Sequence, residues 1–253
     1  MDNKKHSEKD FISSLVPNYI TTDDSSQLRL MRDLMIRTFK PYIHGGRALE
    51  LGCEIGYMSE RIAPLVEHLD IVDGSQEFLN EVKKRKISNS TLHCSLFEEF
   101  EPKVKYDYIF AIHILEHLID VQAVLNMVKK ALSPQGCFIV AIPNARALSR
   151  QLARHMGLIN SLYDLTPNDI RGGHRRVYDS VLLTRDLDAA NFDIIAQGGI
   201  LFKPFADFQM DKLIDIGVVG EQQIEGLYKL GHEYPDMCAN IYAIARLKNK
   251  IVL

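Results

Sequence analysis

Two glycines and two acids are spaced along the chain in a way that suits nucleotide binding. The segment Glu50-x-Gly52-x-x-x-Gly56 stands where a short apolar run gives way to a helical pattern. Glycine at position 52 lets the backbone turn sharply near a ligand, and a helix that begins near Gly56 offers free N–H groups to an anion. Asp73 ends the next apolar run, where an acid can accept hydrogen bonds from both hydroxyls of a ribose. Together, these residues predict a nucleotide-type cofactor site.

The pattern departs from a dinucleotide site at one position. A dinucleotide fold uses Gly-x-Gly-x-x-Gly because its pyrophosphate lies against the backbone. Here Glu54 stands where the second glycine would be. Its side chain could crowd a bound cofactor or turn outward, so the segments downstream must identify the cofactor.

A second string with catalytic potential is His113-x-x-Glu116-His117, which matches the H-x-x-E-H motif of inverted zinc peptidases. On a regular helix the two histidines would share a face and bind zinc, with Glu116 as the base. The string begins at the end of a buried strand, however, so the imidazoles need not lie on one helix. No motif marks a third ligand. We therefore predict no metal site and keep a zinc peptidase as an alternative.

A glycine- and arginine-rich segment follows the predicted fifth strand. Asn144 comes directly after that strand, and Arg171, Arg175 and Arg176 lie close together further along. Ligands of open α/β sheets bind at the carboxyl ends of the strands, so this segment is expected to cover a substrate. Because guanidinium groups pair well with carboxylates and phosphates, we predict a small anionic substrate.

These groups need a scaffold, and the hydrophobic pattern indicates one. The first ten residues resemble a frayed tail, and a helix with an apolar stripe ends near residue 40. Strand-length apolar runs then alternate with helical patterns, which predicts a parallel sheet covered on both faces. The predicted strands cover residues 47–51, 69–73, 91–95, 106–111, 137–142, 192–198 and 239–247.

The composition excludes several classes of protein. The 253 residues are 46% hydrophobic and 25% charged, with a formal net charge of −3, so the chain is neither disordered nor basic enough for a surface-wide nucleic-acid binder. The four cysteines form no C-x-x-C pair, which favours reduced thiols. The N-terminus resembles no secretory signal, and no apolar run approaches the roughly 18 residues that span a bilayer. We therefore expect a cytoplasmic protein without nucleic-acid or membrane partners.

Further motifs accompany the glycine turn and its partner acid. They read LELGC at 49–53, IVDG at 71–74, YDYIFAIHILEHL at 106–118 and LSPQGC at 132–137. This set resembles the class I S-adenosylmethionine (SAM)-dependent methyltransferases, most of all the small-molecule O-methyltransferases of ubiquinone biosynthesis. The resemblance covers about residues 45–200. It implies SAM as cofactor and a Rossmann-like α/β fold, with a seven-stranded, mostly parallel sheet whose last strand is antiparallel.

The resemblance also implies roles for individual residues. Glu50 would support the turn and bind the amino group of SAM, and Asp73 would hold the ribose. The other implied cofactor residues are Gly52, Cys53, Gly56 and Gly74 in the turns, Ser95, Leu96 and Phe97 beside adenine, and Ala111, Ile112 and His117 near the methionine part. Arg29 on the N-terminal helix could reach the SAM carboxylate or lie in solvent.

His174 and Tyr178 match the Gly-x-His-x-x-x-aromatic segment that lies near the active site in this family. An oxygen acceptor usually needs a base, for which histidine is apt near neutral pH. His174 is the first candidate and His113 the second. An amine acceptor needs no strong base, so methylation of oxygen or nitrogen stays open. The expected acceptor is a small anionic metabolite, such as a sugar derivative or a phosphate- or carboxylate-bearing compound.

The expected organisation is one domain with additions. Residues 1–44 form the tail and a capping helix, 45–200 the SAM-binding core, and 201–253 a helical insertion and the final strand. The insertion could pack on the sheet edge, extend the acceptor pocket or form a homodimer contact. Besides the zinc peptidase, a non-catalytic SAM-binding interaction protein is an alternative, motivated by Glu54.

Overall fold

Seven strands form a single sheet in the computed structural model, which describes residues 2–20 and 25–248. The strand order is β3-β2-β1-β4-β5-β7-β6. Neighbouring strands from β3 to β5 are parallel, whereas β7 lies antiparallel between β5 and β6. The predicted Rossmann-like sheet is thereby confirmed. The strands are β1 (Arg47–Leu51), β2 (His68–Asp73), β3 (Ser90–Cys94), β4 (Tyr106–Ile112), β5 (Leu132–Pro143), β6 (Phe192–Ile200) and β7 (Asn240–Leu247).

Helices cover both faces of this sheet, because side chains alternate along each strand. In β1, Ala48 belongs to one apolar cluster, whereas Leu49 and Leu51 belong to the cluster on the other face. No helix among the described residues is long and apolar enough to cross a membrane. The helices are α1 (Asp2–Ile20), α2 (Ser26–Phe39), α3 (Ser59–Ile62), α4 (Gln76–Lys84), α5 (Val121–Ala131), α6 (Leu148–His155), α7 (Pro167–Arg171), α8 (Ser180–Ala189), α9 (Asp207–Asp215) and α10 (Glu221–Glu233).

The first twenty residues differ most from the sequence expectation. The predicted frayed tail was wrong, because helix α1 begins at Asp2. Tertiary contacts account for it: Val16 is buried in the core, and the rings of Tyr19 and Phe78 on α4 meet edge to face at 5.6 Å. A polar helix that gains its stability from packing gives only a weak signal in its own sequence.

The segment after β6 contains α9 and α10, which pack on α2 and on β6 respectively. The backbone N–H of Gln27 donates to Asp211 on α9 at 2.8 Å, so α2 and α9 are joined by a polar contact as well. Through α9, this segment therefore stabilises the position of α2.

The strand order reverses between β1 and β4, and this reversal places the candidate site. In open α/β sheets a crevice forms at such a point, outside the carboxyl ends of the strands. Leu51 at the end of β1 pairs with Val72 of β2 and with Ala111 of β4. The loops that follow these three strands therefore meet at one edge of the sheet.

Candidate active site

The loop after β1 makes the sharp turn that its glycines predicted. Gly52 and Gly56 adopt φ values of +71° and +86°, in the left-handed region that favours glycine. A Cβ at position 52 would also overlap the side chain of Ile114. Gly56 closes the turn by donating its N–H to the Cys53 carbonyl at 2.8 Å. The absence of a side chain at position 52 therefore makes room for Ile114, and the Gly52 backbone borders the two cavities described below.

Asp73 at the end of β2 binds the same turn. Its carboxylate accepts hydrogen bonds from the backbone N–H of Cys53 at 3.0 Å and of Ser75 at 2.8 Å, one on each oxygen. Burial raises the pKa of Asp73, although these hydrogen bonds partly offset the effect. The Cys53 thiol also donates to Oδ2, at 3.4 Å. Oδ1 can therefore accept one hydroxyl, and Oδ2 can accept another in place of the thiol.

Glu50, in β1 two residues before Gly52, is also buried. Its Oε2 accepts a hydrogen bond from Ser59 Oγ at 2.5 Å. Burial raises the pKa of Glu50 to about 8, despite the opposing effect of that hydrogen bond. The carboxyl group is therefore largely protonated near neutral pH and can both donate and accept.

Two cavities open around these residues. The α1 cavity, of about 120 Å³, is walled on one side by helix α1 through Phe11, Ile12 and Leu15. The α2 cavity, of about 230 Å³, is walled by helix α2 through Met31 and Met35. Five of the described residues line both cavities, so the two meet at one junction. These are Tyr19, Gly52, Glu54, Ile112 and His113.

The α1 cavity contains the residues expected for a nucleoside. Asp73, Gly74, Leu96 and Phe97 line it together with His117. Besides Arg29, three expected cofactor residues lie outside both linings. Ser95 Oγ instead donates to the Leu96 carbonyl at 2.9 Å, Ala111 is buried within the sheet, and Gly56 closes the turn described above.

The α2 cavity contains Glu50 and Cys53, but its helix presents a different arginine from the one expected. Arg29 is exposed and lies outside the lining, whereas Arg32 faces the cavity. The reason is helical spacing, since Leu28, Met31, Arg32 and Met35 share one face and position 29 does not. The Arg32 guanidinium lies 3.4 Å from Glu54 Oε2 and 4.7 Å from the ring centre of Tyr57.

His113 occupies the junction of the cavities directly after β4. It adopts φ +55°, and its Nε2 lies 2.7 Å from Asn240 Oδ1 on β7. Burial lowers the pKa of His113 to about 4, with the bond to Asn240 in opposition. The imidazole is therefore uncharged near neutral pH. With Nε2 donating to the amide oxygen, Nδ1 remains as an acceptor.

A second group of titratable side chains lies beyond His117. The rings of His117 and His174 meet edge to face at 4.8 Å, and His174 Nδ1 lies 3.2 Å from Asp169. Burial lowers the pKa of His117 to about 3. Burial also lowers that of His174, but the bond to Asp169 and the charge of Glu116 outweigh it, so the pKa of His174 is raised. His174 itself lies outside both cavity linings.

Glu116 completes that group. It is buried, neither carboxylate oxygen has a hydrogen-bond partner among the described residues, and burial raises its pKa to about 7. Ligand atoms of Glu116, His117 and His174 lie within 4.8 Å of one another, close enough to hold a metal ion. His113 does not belong to this group, and its ring contacts Asn240 instead. The H-x-x-E-H string therefore does not form the helical zinc site of a peptidase.

The arginines of the 171–176 segment do not converge on one site, contrary to expectation. Arg171 lines the α2 cavity. Arg175 instead donates to the His117 carbonyl at 2.8 Å and to Glu8 of α1 at 2.9 Å. Arg176 donates to the carbonyls that follow β4, and the Tyr178 hydroxyl donates to Asp186 at 2.8 Å. Their hydrogen bonds to protein acceptors therefore give Arg175, Arg176 and Tyr178 structural roles in joining neighbouring segments.

Asn144, expected in the acceptor site, lines neither cavity and makes structural hydrogen bonds instead. Its Nδ2 donates to the carbonyls of Asp236 and Cys238 at 2.8 and 2.9 Å, and its Oδ1 accepts from the Arg146 N–H at 2.9 Å. The side chain is 3% exposed. It therefore joins the end of β5 to the loop before β7.

We expect Asn144→Ala to lower the free energy of unfolding by about 2–3 kcal/mol, because it leaves buried carbonyls and an N–H without partners. Urea unfolding followed by circular dichroism measures this. The control is Asn126→Ala, an exposed position on α5, which should change the value by less than about 0.5 kcal/mol. An equal, small effect of both changes would contradict the structural role.

Comparisons with known proteins agree with this geometry. Residues 24–197 match the family described as "Methyltransferase domain". The ubiquinone biosynthesis O-methyltransferase of Bradyrhizobium sp. (strain ORS 278) is 27% identical over 212 residues, which is 78% of this chain and 82% of that protein. Two solved structures share the fold.

The first is the N-methyltransferase NodS from Bradyrhizobium japonicum WM9 in complex with S-adenosyl-L-homocysteine (SAH), at TM-score 0.61 and 13% identity. The match covers 94% of this chain and 98% of NodS. The second is the DhpI–SAH complex, at TM-score 0.63 and 14% identity, with 97% and 98% covered.

The fold, the glycine turn with its acid and the family match define a class I SAM-dependent methyltransferase. The chain belongs to the methyltransferase domain family, and its cofactor is SAM.

Proposed function

We propose that this chain is an O-methyltransferase that binds SAM across both cavities and holds a small anionic acceptor in the outer part of the α2 cavity. The observation that carries the proposal is the junction of the cavities at Gly52 and His113. A cofactor whose two halves fill two joined cavities presents its central atom at the place where they meet. The acceptor oxygen must reach that same place.

The residues present fit SAM on chemical grounds. Asp73 is a buried, fixed acceptor suited to ribose hydroxyls, and Leu96 with Phe97 offers apolar surface to a purine. Glu50 would receive the amino group in the α2 cavity. When bound, SAM supplies a methyl group on a positively charged sulfur that is already a good leaving group.

The chain's own part in the reaction is to position the acceptor and to take its proton. Holding two reactants in line removes much of the entropic barrier. His113 lies at the junction, and Asn240 fixes its ring with Nδ1 free to accept a proton from an acceptor hydroxyl. We propose His113 as the base. With a pKa lowered to about 4 it does not deprotonate a free hydroxyl, but it can take the proton as the oxygen gains the methyl group and becomes acidic. His174 positions His117 through the edge-to-face contact of their rings.

Two arginines support an anionic acceptor. Arg32 and Arg171 both line the α2 cavity, and methionines 31 and 35 form an adaptable apolar wall beside them. A guanidinium pair suits a carboxylate or phosphate on the acceptor. Methylation of oxygen, as opposed to nitrogen, is supported by the name of the Bradyrhizobium relative.

The test has two stages. Calorimetry first measures the binding of SAM and SAH, and failure of the wild type to bind SAM would overturn the cofactor arrangement. The protein is then incubated with isotopically labelled methyl-SAM and a panel of hydroxy acids, phenols, sugar phosphates and amines, and the labelled product is identified by mass spectrometry. We expect a labelled methyl ether on an anionic compound, with KM raised about tenfold in Arg171→Ala. Labelled amines, or neutral acceptors alone, would contradict the proposal.

A further inference from the structure

Glu54 keeps a glycine-like backbone at the turn after β1. Its φ is +46°, in the left-handed region that side-chain-bearing residues seldom adopt. Its carboxylate is 40% exposed and lies 3.4 Å from the Arg32 guanidinium on α2. A charged residue that keeps an unfavourable backbone conformation is a candidate for a function that depends on its charge.

Glu54 lies where the two cavities meet. Among the five residues that line both cavities, Glu54 is the only carboxylic acid. His113, which also lines both cavities, is uncharged near pH 7 because burial lowers its pKa to about 4. A ligand that occupies both cavities therefore passes a negative charge where the cavities meet.

Four other acids each line one cavity only and are less suited to supply this charge. Glu8 and Glu98 line the α1 cavity, where Glu8 is paired with Arg175 and burial raises the pKa of Glu98. Glu50 lines the α2 cavity only, and burial raises its pKa to about 8. Asp73 lines the α1 cavity only, and its oxygens already accept two backbone hydrogen bonds. Arg32 lies 3.4 Å from the Glu54 carboxylate and offsets part of its charge, while Glu54 still lines both cavities.

The covalent structure of SAM brings a cation to the same place. Its sulfonium lies between the adenosine part and the amino-acid part, so a molecule with one part in each cavity has its sulfur near the junction. After methyl transfer the sulfur of SAH is a neutral thioether. The two ligands therefore differ by one positive charge at this point, and a carboxylate nearby favours SAM by Coulomb attraction.

We propose that Glu54 selects the charged cofactor over its spent product, so that the chain binds SAM in preference to SAH and releases SAH more readily. This role rests on the cofactor arrangement proposed above. It also explains why an acid occupies a turn position at which a glycine would be less strained.

The test compares the affinities of both ligands by calorimetry in the wild type, Glu54→Gln and Glu54→Gly. We expect the ratio of the SAH Kd to the SAM Kd to fall about fivefold to tenfold in both variants. The loss should lie mainly in SAM binding. Glu60→Gln is the matched control, because Glu60 is also 40% exposed and paired with an arginine, Arg85, but lines neither cavity. Its ratio should equal that of the wild type.

Equal weakening or equal strengthening of both ligands in the Glu54 variants would overturn the proposal and leave Glu54 a role in the turn alone. Glu54→Gly decides if Glu54→Gln does not fold, since glycine suits the left-handed backbone. A wild type that binds neither ligand would instead contradict the cofactor arrangement itself, so the two failures are distinguishable.

Discussion

We expect Asp73→Ala to bind SAM about 100-fold more weakly than the wild type. The change removes two acceptors for the ribose hydroxyls, and each hydrogen bond to a buried carboxylate contributes about 1.5–3 kcal/mol. It also frees the N–H groups of Cys53 and Ser75, so the glycine turn loses its anchor to β2. Calorimetry with SAM and SAH measures the loss, which should be similar for both because they share the ribose.

Asp70→Ala is the matched control for this prediction. Asp70 is another buried acid of β2, where it accepts from Arg47 and lies 2.8 Å from His93, but it lines neither cavity. We expect this variant to unfold at a lower temperature with unchanged SAM affinity. Unchanged affinity in Asp73→Ala would remove the ribose role, whereas equal losses in both variants would indicate a general effect on folding.

The second large effect is expected from His113→Asn. Loss of the base should lower kcat on the oxygen acceptor by about 100-fold or more, with SAM affinity within about threefold of the wild type. Asparagine is chosen because it tolerates the left-handed backbone found at this position. His93→Asn, on β3 and remote from both cavities, should leave kcat unchanged.

The pH dependence distinguishes the two candidate bases. A base acts when unprotonated, so activity is lost as the pH falls through its pKa. Burial lowers the pKa of His113 to about 4, and wild-type kcat should therefore stay level between pH 8 and 6. The pKa of His174 is raised by Asp169 and Glu116 against the effect of burial, so a reaction that used His174 would already decline in that range. Such a decline would contradict the assignment to His113.

The sequence could predict which loops meet at this edge of the sheet because local rules determine it. The turn at Gly52, the acid at Asp73 and the loop after β4 each follow a buried strand, and the ends of parallel strands meet by necessity. The departure of His113 from a regular helix was likewise foreseen, since it begins where β4 ends.

Side chains whose partners come from distant segments were placed less well. The choice between Arg29 and Arg32 depends on how α2 is rotated about its axis, which α9 and the sheet decide. The sequence predicted an anion site at the arginines of 171–176. Their protein acceptors, Glu8 and the carbonyls after β4, are remote in sequence and so gave no signal. Asn144 was misplaced for the same reason. The i, i+3, i+4, i+7 spacing of Leu28, Met31, Arg32 and Met35 could have identified the cavity face.

Helix α1 and the segment 171–176 are in contact beside the α1 cavity. The helix forms a wall of the α1 cavity, Leu15 packs so tightly on Gly173 that a Cβ there would overlap it, and Tyr19 donates to the Gly172 carbonyl at 2.9 Å. A nucleoside that leaves through this wall must first break these contacts. On that route helix α1 has to separate from the segment 171–176, and the Tyr19 hydroxyl is one hydrogen-bond donor that joins them.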